Sequence, residues 1–135
     1  MILIFLDANV IFSSSAEGSG FAKFFDLILA RSLPVTSDFA LEEARRNIVA
    51  KRPKWVSGFE RVRRSVRIVP SVSFPLGIEL ENKDVPILCS AIRSACDFLV
   101  TGDKRHFGKF YGKTIEGGTI VPPIEMARQL TAGIE

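Results

Sequence analysis

The sequence predicts an α/β fold, a mostly parallel sheet of about five strands covered by helices on both faces. Three observations carry this. Short apolar runs alternate with amphipathic stretches along the chain, which is the pattern of strand–helix units. The first run is continuously apolar rather than alternating, as expected of a strand buried on both faces. The 135 residues, 47% of them hydrophobic, suit a single domain, 1–135, with a substantial core.

The elements follow in order. Residues 2–6, Ile-Leu-Ile-Phe-Leu, read as a buried strand closed by Asp7. A short segment, 8–14, leads into three serines and a loop around Gly18 and Gly20. Residues 20–31 carry Phe21, Phe24, Phe25, Ile28 and Leu29 at helical spacing. Residues 33–36 form a weaker second strand. Ser37 or Asp38 caps a helix running to about Lys51, before Pro53. A further helix covers 54–64 and a third strand 66–69, and the stretch from Pro70 to Gly77 reads as loop. A helix from about 84 to 94 follows, with Pro86 in its first turn, where a missing N–H does no harm. Residues 98–101 make a fourth strand, 117–121 a weak fifth, and 124–130 a last helix after two prolines.

Charge and composition narrow the function. Met1 precedes only five apolar residues and then an acid, so the start does not read as a signal peptide. No apolar run approaches the roughly 20 residues of a membrane helix. The expectation is a soluble, cytoplasmic protein with no membrane partner. The net charge is only +3, but nine of the 18 basic residues fall between 45 and 67, with Glu60 the single acid there. Such a stripe suits a phosphate-backbone ligand as well as it suits a solvated helix face. Cys89 and Cys96 read as buried, reduced thiols. His106 is the only histidine, which argues against a zinc site.

Four carboxylates carry the chemistry. Asp7 ends the first strand, Glu43 lies on the 38–51 helix, Asp84 opens the next helix, and Asp103 follows the fourth strand. In an open α/β sheet the C-terminal strand ends meet at one crevice. Singly, each acid also suits a cap, a turn or a helix-surface pair. Together, with no histidine or cysteine set beside them, they suit a hard divalent cation, Mg²⁺ or Mn²⁺. Such an ion relieves their repulsion and lowers the pKa of a bound water. Asp97 precedes its strand and Asp38 begins its helix, so both read as structural. Glu81 is a weak candidate for an outer acid near Asp84.

Leu6-Asp7-Ala8-Asn9-Val10, Leu41-Glu42-Glu43-Ala44-Arg45-Arg46, Lys83-Asp84-Val85-Pro86-Ile87-Leu88 and Leu99-Val100-Thr101-Gly102-Asp103 resemble the four signature stretches of PIN-domain nucleases. The resemblance spans nearly the whole chain and is most specific from Thr101 to Phe107. It implies a three-layer α/β/α sandwich and a metal-dependent endoribonuclease with Asp7, Glu43, Asp84 and Asp103 as its acidic cluster. Asp7, Asp84 and Asp103 would hold the metal, and Asn9 and Thr101 would support the acids. Ala8 departs from the family, many of whose members carry Thr there. The choice of Glu43 over Glu42 rests on the residues that follow it. Arg46, Lys104 and Arg105 are the expected phosphate contacts, Phe107 a packing residue, and His106 either a phosphate contact or a surface residue without a role. The resemblance further implies RNA as substrate, an antitoxin as partner, since many short members are toxins of toxin–antitoxin pairs, and a homodimer.

Two rivals remain at this point. One is a phosphatase with Asp7 as nucleophile, though Asn9 stands where such an enzyme wants a second acid. The other is a PIN-like module that binds RNA or protein without cutting. DNA as substrate also stays open.

Overall fold

A computed structural model describes residues 1–132. Its elements run β1 (Leu3–Leu6), α1 (Ala8–Ser14), α2 (Gly20–Arg31), β2 (Leu33–Ser37), α3 (Asp38–Lys51), a 3₁₀ turn (Pro53–Trp55), α4 (Val56–Ser65) and β3 (Arg67–Val69). There follow α5 (Val85–Arg93), β4 (Phe98–Val100), α6 (Lys104–Phe107), a second 3₁₀ turn (Gly108–Phe110), β5 (Thr114–Ile115), β6 (Gly118–Val121) and α7 (Pro123–Ala132). The sheet order is β3-β2-β1-β4-β6-β5, parallel throughout except for the β5–β6 pair.

The chain steps from β1 outward through β2 to β3 and then crosses back to β4 on the other side of β1. With right-handed crossovers, that reversal puts α1–α4 and α5–α6 on opposite faces. The crevice between the C-terminal ends of β1 and β4 is the switch point of the sheet, where open α/β folds bind their ligands. Register does the rest. Leu6 pairs with Val100, so the next residues of the two strands, Asp7 and Thr101, emerge side by side.

The core is built from the strands' own apolar runs. Ile4, Phe5 and Leu6 of β1 and Leu99 and Val100 of β4 are buried, with Ile11, Phe25 and Ile28 of α1 and α2 and Leu88 of α5 among the side chains packed into the same core. The expected strands and helices are present, with four differences, the first being the short helix α6, which was not expected from the sequence. Segment 8–14 is a full helix, α1. Two-residue β5 was not foreseen, because so short a strand carries no period; it makes the sheet six strands rather than about five. It pairs with β6 through a turn in which Glu116 and Gly117 both have positive φ, 50° and 91°, the twist a two-residue hairpin requires. The loop from residue 70 to Asp84 is longer than the sequence suggested. It is tied to α5, since Val72 N–H donates to Ser90 Oγ (3.1 Å) and Phe74 N–H lies 3.3 Å from Cys89 Sγ. Its Leu76, Ile78 and Leu80 pack on the core. Cys89 and Cys96 are both buried and free, as expected. No helix among the described residues is long and apolar enough to cross a membrane.

Candidate metal centre

Asp7 leaves β1 in extended conformation and caps α1, its Oδ1 accepting from Ala8 N–H at 2.7 Å. Its second oxygen accepts from Thr101 Oγ1 at 2.7 Å and from Asn9 Nδ2 at 3.2 Å. Asn9 then ties the two strand ends together. Its amide nitrogen also donates to Thr101 Oγ1 (3.3 Å), and its Oδ1 accepts from Gly102 N–H (2.8 Å). Thr101 Oγ1 further accepts from Asp103 N–H at 3.1 Å. A Cβ at Gly102 would stand 3.3 Å from Asn9 Oδ1, tighter than an ordinary contact, so glycine suits this close approach. Asn9 and Thr101 thus hold Asp7 in one orientation and set the start of the Asp103 turn, the positioning role expected of residues behind a metal ligand.

Asp84 precedes α5 but makes no capping bond with its side chain. Its carboxylate turns instead toward α6. Asp103 does cap α6, accepting from His106 N–H at 3.1 Å. One helical turn brings the His106 ring back over this cap. Its Nδ1 lies 2.7 Å from Asp84 Oδ2 and 3.1 Å from Asp103 Oδ2. Neither contact is aligned as a hydrogen bond, and both Asp84 Oδ2 and His106 Nδ1 are buried without a hydrogen-bond partner. The expectation of acids with no histidine beside them is therefore corrected: Asp84, Asp103 and His106 present ligand atoms within 4.8 Å of one another. The signal was in the sequence, since residues three apart on a helix share a face and His106 is three beyond Asp103.

Electrostatics bind the cluster into one site. Asp7 is 6% exposed, and burial pushes its carboxyl up from 3.8 to about 6; the Thr101 and Ala8 hydrogen bonds oppose this, while the charges of Glu43 and Asp84 add to it. Asp84, 5% exposed, is likewise raised by burial, with His106 opposing and Asp103 adding. Tyr111, whose hydroxyl donates to Thr101 O at 2.8 Å, is raised by burial and by the Asp103 and Asp7 charges. The carboxylates of Asp7, Glu43, Asp84 and Asp103 thus act on one another at the switch point. A cation suits such a set: buried carboxylates repel, and one oxygen and one nitrogen stand unbonded.

The two glutamates of α3 separate. Glu42 is exposed and held bidentately by Arg45 (2.6 and 2.8 Å). Glu43 is half-buried and shares a groove with Asn9, Phe12, Asn47 and Lys51. Arg46 is exposed, and its charge acts on Glu42. Lys51, not singled out in the sequence, lines it. Arg105 stands with His106, Lys109 and Glu81 around a polar cleft of about 370 Å³, and Lys104 is exposed on the same short helix. Within the basic stripe, Arg45, Arg61 and Arg63 are paired to Glu42, Asp26 and Glu60. Asp97 receives Leu3 N–H at 2.9 Å at the far edge of the sheet, and Asp38 binds its own helix start and Ser71 N–H. A separate apolar groove of about 820 Å³ runs past Gly102, lined by Phe21, Phe24 and Trp55 with Ile124 of α7.

No protein-family model and no curated protein sequence matches the chain. Solved structures do. VapBC2 from Rickettsia felis, bound to a DNA fragment from their promoter, aligns with TM-score 0.67 at 15% identity, over 90% of this chain and 98% of that one. PAE2754 from Pyrobaculum aerophilum aligns with TM-score 0.62 at 17% identity, over 97% and 90%. VapBC-1 from nontypeable Haemophilus influenzae aligns with TM-score 0.59 at 14% identity, over 91% and 99%. The likeness covers nearly all of each chain and shows a shared fold, the PIN-like α/β/α architecture expected from the sequence.

Proposed function

We propose that this chain, which has the PIN-domain fold, is a divalent-metal-dependent endoribonuclease acting on single-stranded RNA and the toxin half of a toxin–antitoxin pair. The observation that carries the reading is the junction of β1 and β4, where Asp7, Asp84 and Asp103, with Glu43 near Asp7, crowd a partly buried crevice at the sheet's switch point.

Asp84 and Asp103, with Asp7 beside them, would hold Mg²⁺ or Mn²⁺. When bound, the ion supplies an acidified water and stabilises charge on the phosphoryl oxygens. The chain's own residues do the remainder. Asn9 and Thr101 keep the Asp7 carboxylate aimed. Glu43, across the groove, orients the attacking water and draws its proton. Lys51 on one side and Lys104 and Arg105 on the other bind RNA phosphates and set the strand's path over the acids. Asn9 is held at both ends of its amide and has no carboxyl to exchange a proton, so the phosphatase alternative lacks its general acid.

The toxin assignment draws on the fold likeness to structures described as VapBC. A protein antitoxin would cover the apolar groove of Phe21, Phe24, Trp55 and Ile124, the last of these 72% exposed.

Cleavage of a labelled single-stranded RNA in Mg²⁺, in Mn²⁺ and in chelator tests the enzyme reading. Wild type is expected to cut with metal only, and Asp7→Asn and Asp103→Asn are each expected to lose at least about a hundredfold in rate. Cleavage in chelator, or by folded Asp103→Asn at the wild-type rate, would sink it.

A further inference from the structure

We infer that His106 is itself a metal ligand, completing with Asp84 and Asp103 a site of two carboxylate oxygens and one imidazole nitrogen that prefers Mn²⁺ to Mg²⁺. The inference deepens the nuclease reading and rests on it only in placing a cation at this cluster.

The geometry comes first. Asp84, Asp103 and His106 each offer a ligand atom, and these lie mutually within 4.8 Å, a spacing one ion can bridge; Nδ1 of His106 itself stands 2.7 Å from Asp84 Oδ2 and 3.1 Å from Asp103 Oδ2. The Asp84 side chain is 7% exposed, yet its Oδ2 has no hydrogen bond, and neither has the Nδ1 facing it. A buried polar atom left unpaired is costly, and here two stand unpaired side by side. An imidazolium serving only as counter-ion would point its N–H along one of the carboxylates; here it is out of line with both. A cation bonded to all three atoms satisfies each of them. Local structure supports the same placement. Asp103 caps α6 through His106 N–H, so ligand and backbone anchor belong to one turn. The neighbouring Phe107 is fully buried and fixes that turn to the core.

Chemistry then selects the ion. Mg²⁺ takes oxygen ligands almost exclusively, whereas Mn²⁺ and the later divalent metals accept imidazole with rising affinity. A nitrogen donor in the site therefore strengthens Mn²⁺ and contributes little to Mg²⁺.

His106 is the only histidine of the chain, so any imidazole nitrogen bound to a metal in tag-free protein is its own. Pulsed EPR of the wild-type chain loaded with Mn²⁺ is expected to show ¹⁴N coupling, absent in His106→Ala and His106→Gln. Calorimetric titration is expected to show Mn²⁺ affinity falling about tenfold or more in His106→Ala while Mg²⁺ affinity changes by less than about threefold. Bound Mn²⁺ without ¹⁴N coupling in the wild type would overturn the proposal. So would a rise in affinity for both ions in His106→Ala, the mark of a displaced counter-ion, and so would a failure to bind Mn²⁺ at all. Because these readings need no RNA, the two ideas fail separately. Nitrogen coupling without cleavage leaves the ligand and removes the nuclease; cleavage with Mn²⁺ but no coupling does the reverse.

Discussion

Asp7 shows what one residue's surroundings can do. The folded chain binds its proton more tightly than the unfolded chain does, because burial disfavours the carboxylate and raises it from 3.8 to about 6. Without metal, folding stability therefore falls as pH climbs from about 4 to about 6 and stays level above, a loss of about 3 kcal/mol from this group. Asp84 is shifted in the same direction. In chelator, Asp7→Asn should melt above wild type at pH 8 and level with it near pH 4; thermal melts across that range check this, and a wild type more stable at pH 8 would contradict it. Adding Mn²⁺ should remove the wild-type deficit, since the ion binds the carboxylate form. Thr101→Val strips a hydroxyl that serves Asp7, Asn9 and Asp103 N–H together. Its expected cost is about 2–3 kcal/mol by denaturant melts, with metal binding weakened alongside.

Helix packing and helix ends give tests that leave the acids alone. Gly58 of α4 lies against the end of α1 so closely that a Cβ would stand 1.9 Å from Ser15 O. Gly58→Ala should therefore destabilise by about 2–3 kcal/mol, although alanine gains about 1 kcal/mol in helix propensity. The C-terminus of α5 gives the opposite sign. Ala95 sits at φ 57°, with Ala95 N–H bonded to Ile92 O and Cys96 N–H to Ala91 O, each at 3.0 Å. This is a Schellman end, whose left-handed position favours glycine. Ala95→Gly should stabilise by about 1 kcal/mol, raising Tm by about 3 °C; a lower Tm would show that the left-handed position is not strained.

For the molecule as a whole, the basic residues and the switch point work together. Half the basic residues crowd 45–67, but Arg45, Arg61 and Arg63 are engaged with acids, and surface pairs of this kind contribute little to stability. Lys51, in the groove with Glu43, is the better phosphate contact. Lys51→Ala should weaken RNA binding and lower the slope of log K against log salt by about 0.7, the share of one phosphate contact on a single strand. Arg45→Ala should leave that slope unchanged, and equal slopes for the two variants would count against this path for the RNA.

The alternation of apolar strands and amphipathic helices was legible in the sequence because periodicity is a local property, and so were the capping Asp7 and Asp103 at their strand ends. The sheet's order and the hairpin through β5 were not, because they depend on which strands pair across β1; the gathering of Asp84 with Asp103 was expected through the family resemblance rather than from any local period. The same holds for Glu43 and Glu42. Adjacent in sequence, they diverge by about 100° on a helix, and only packing decides which one faces Asp7 and which one faces Arg45. His106 had its position on the Asp103 turn written in its spacing. Its meeting with Asp84 was decided by the tertiary structure alone, since the loop from residue 70 to Asp84 brings that acid from the end of β3 to the Asp103 turn.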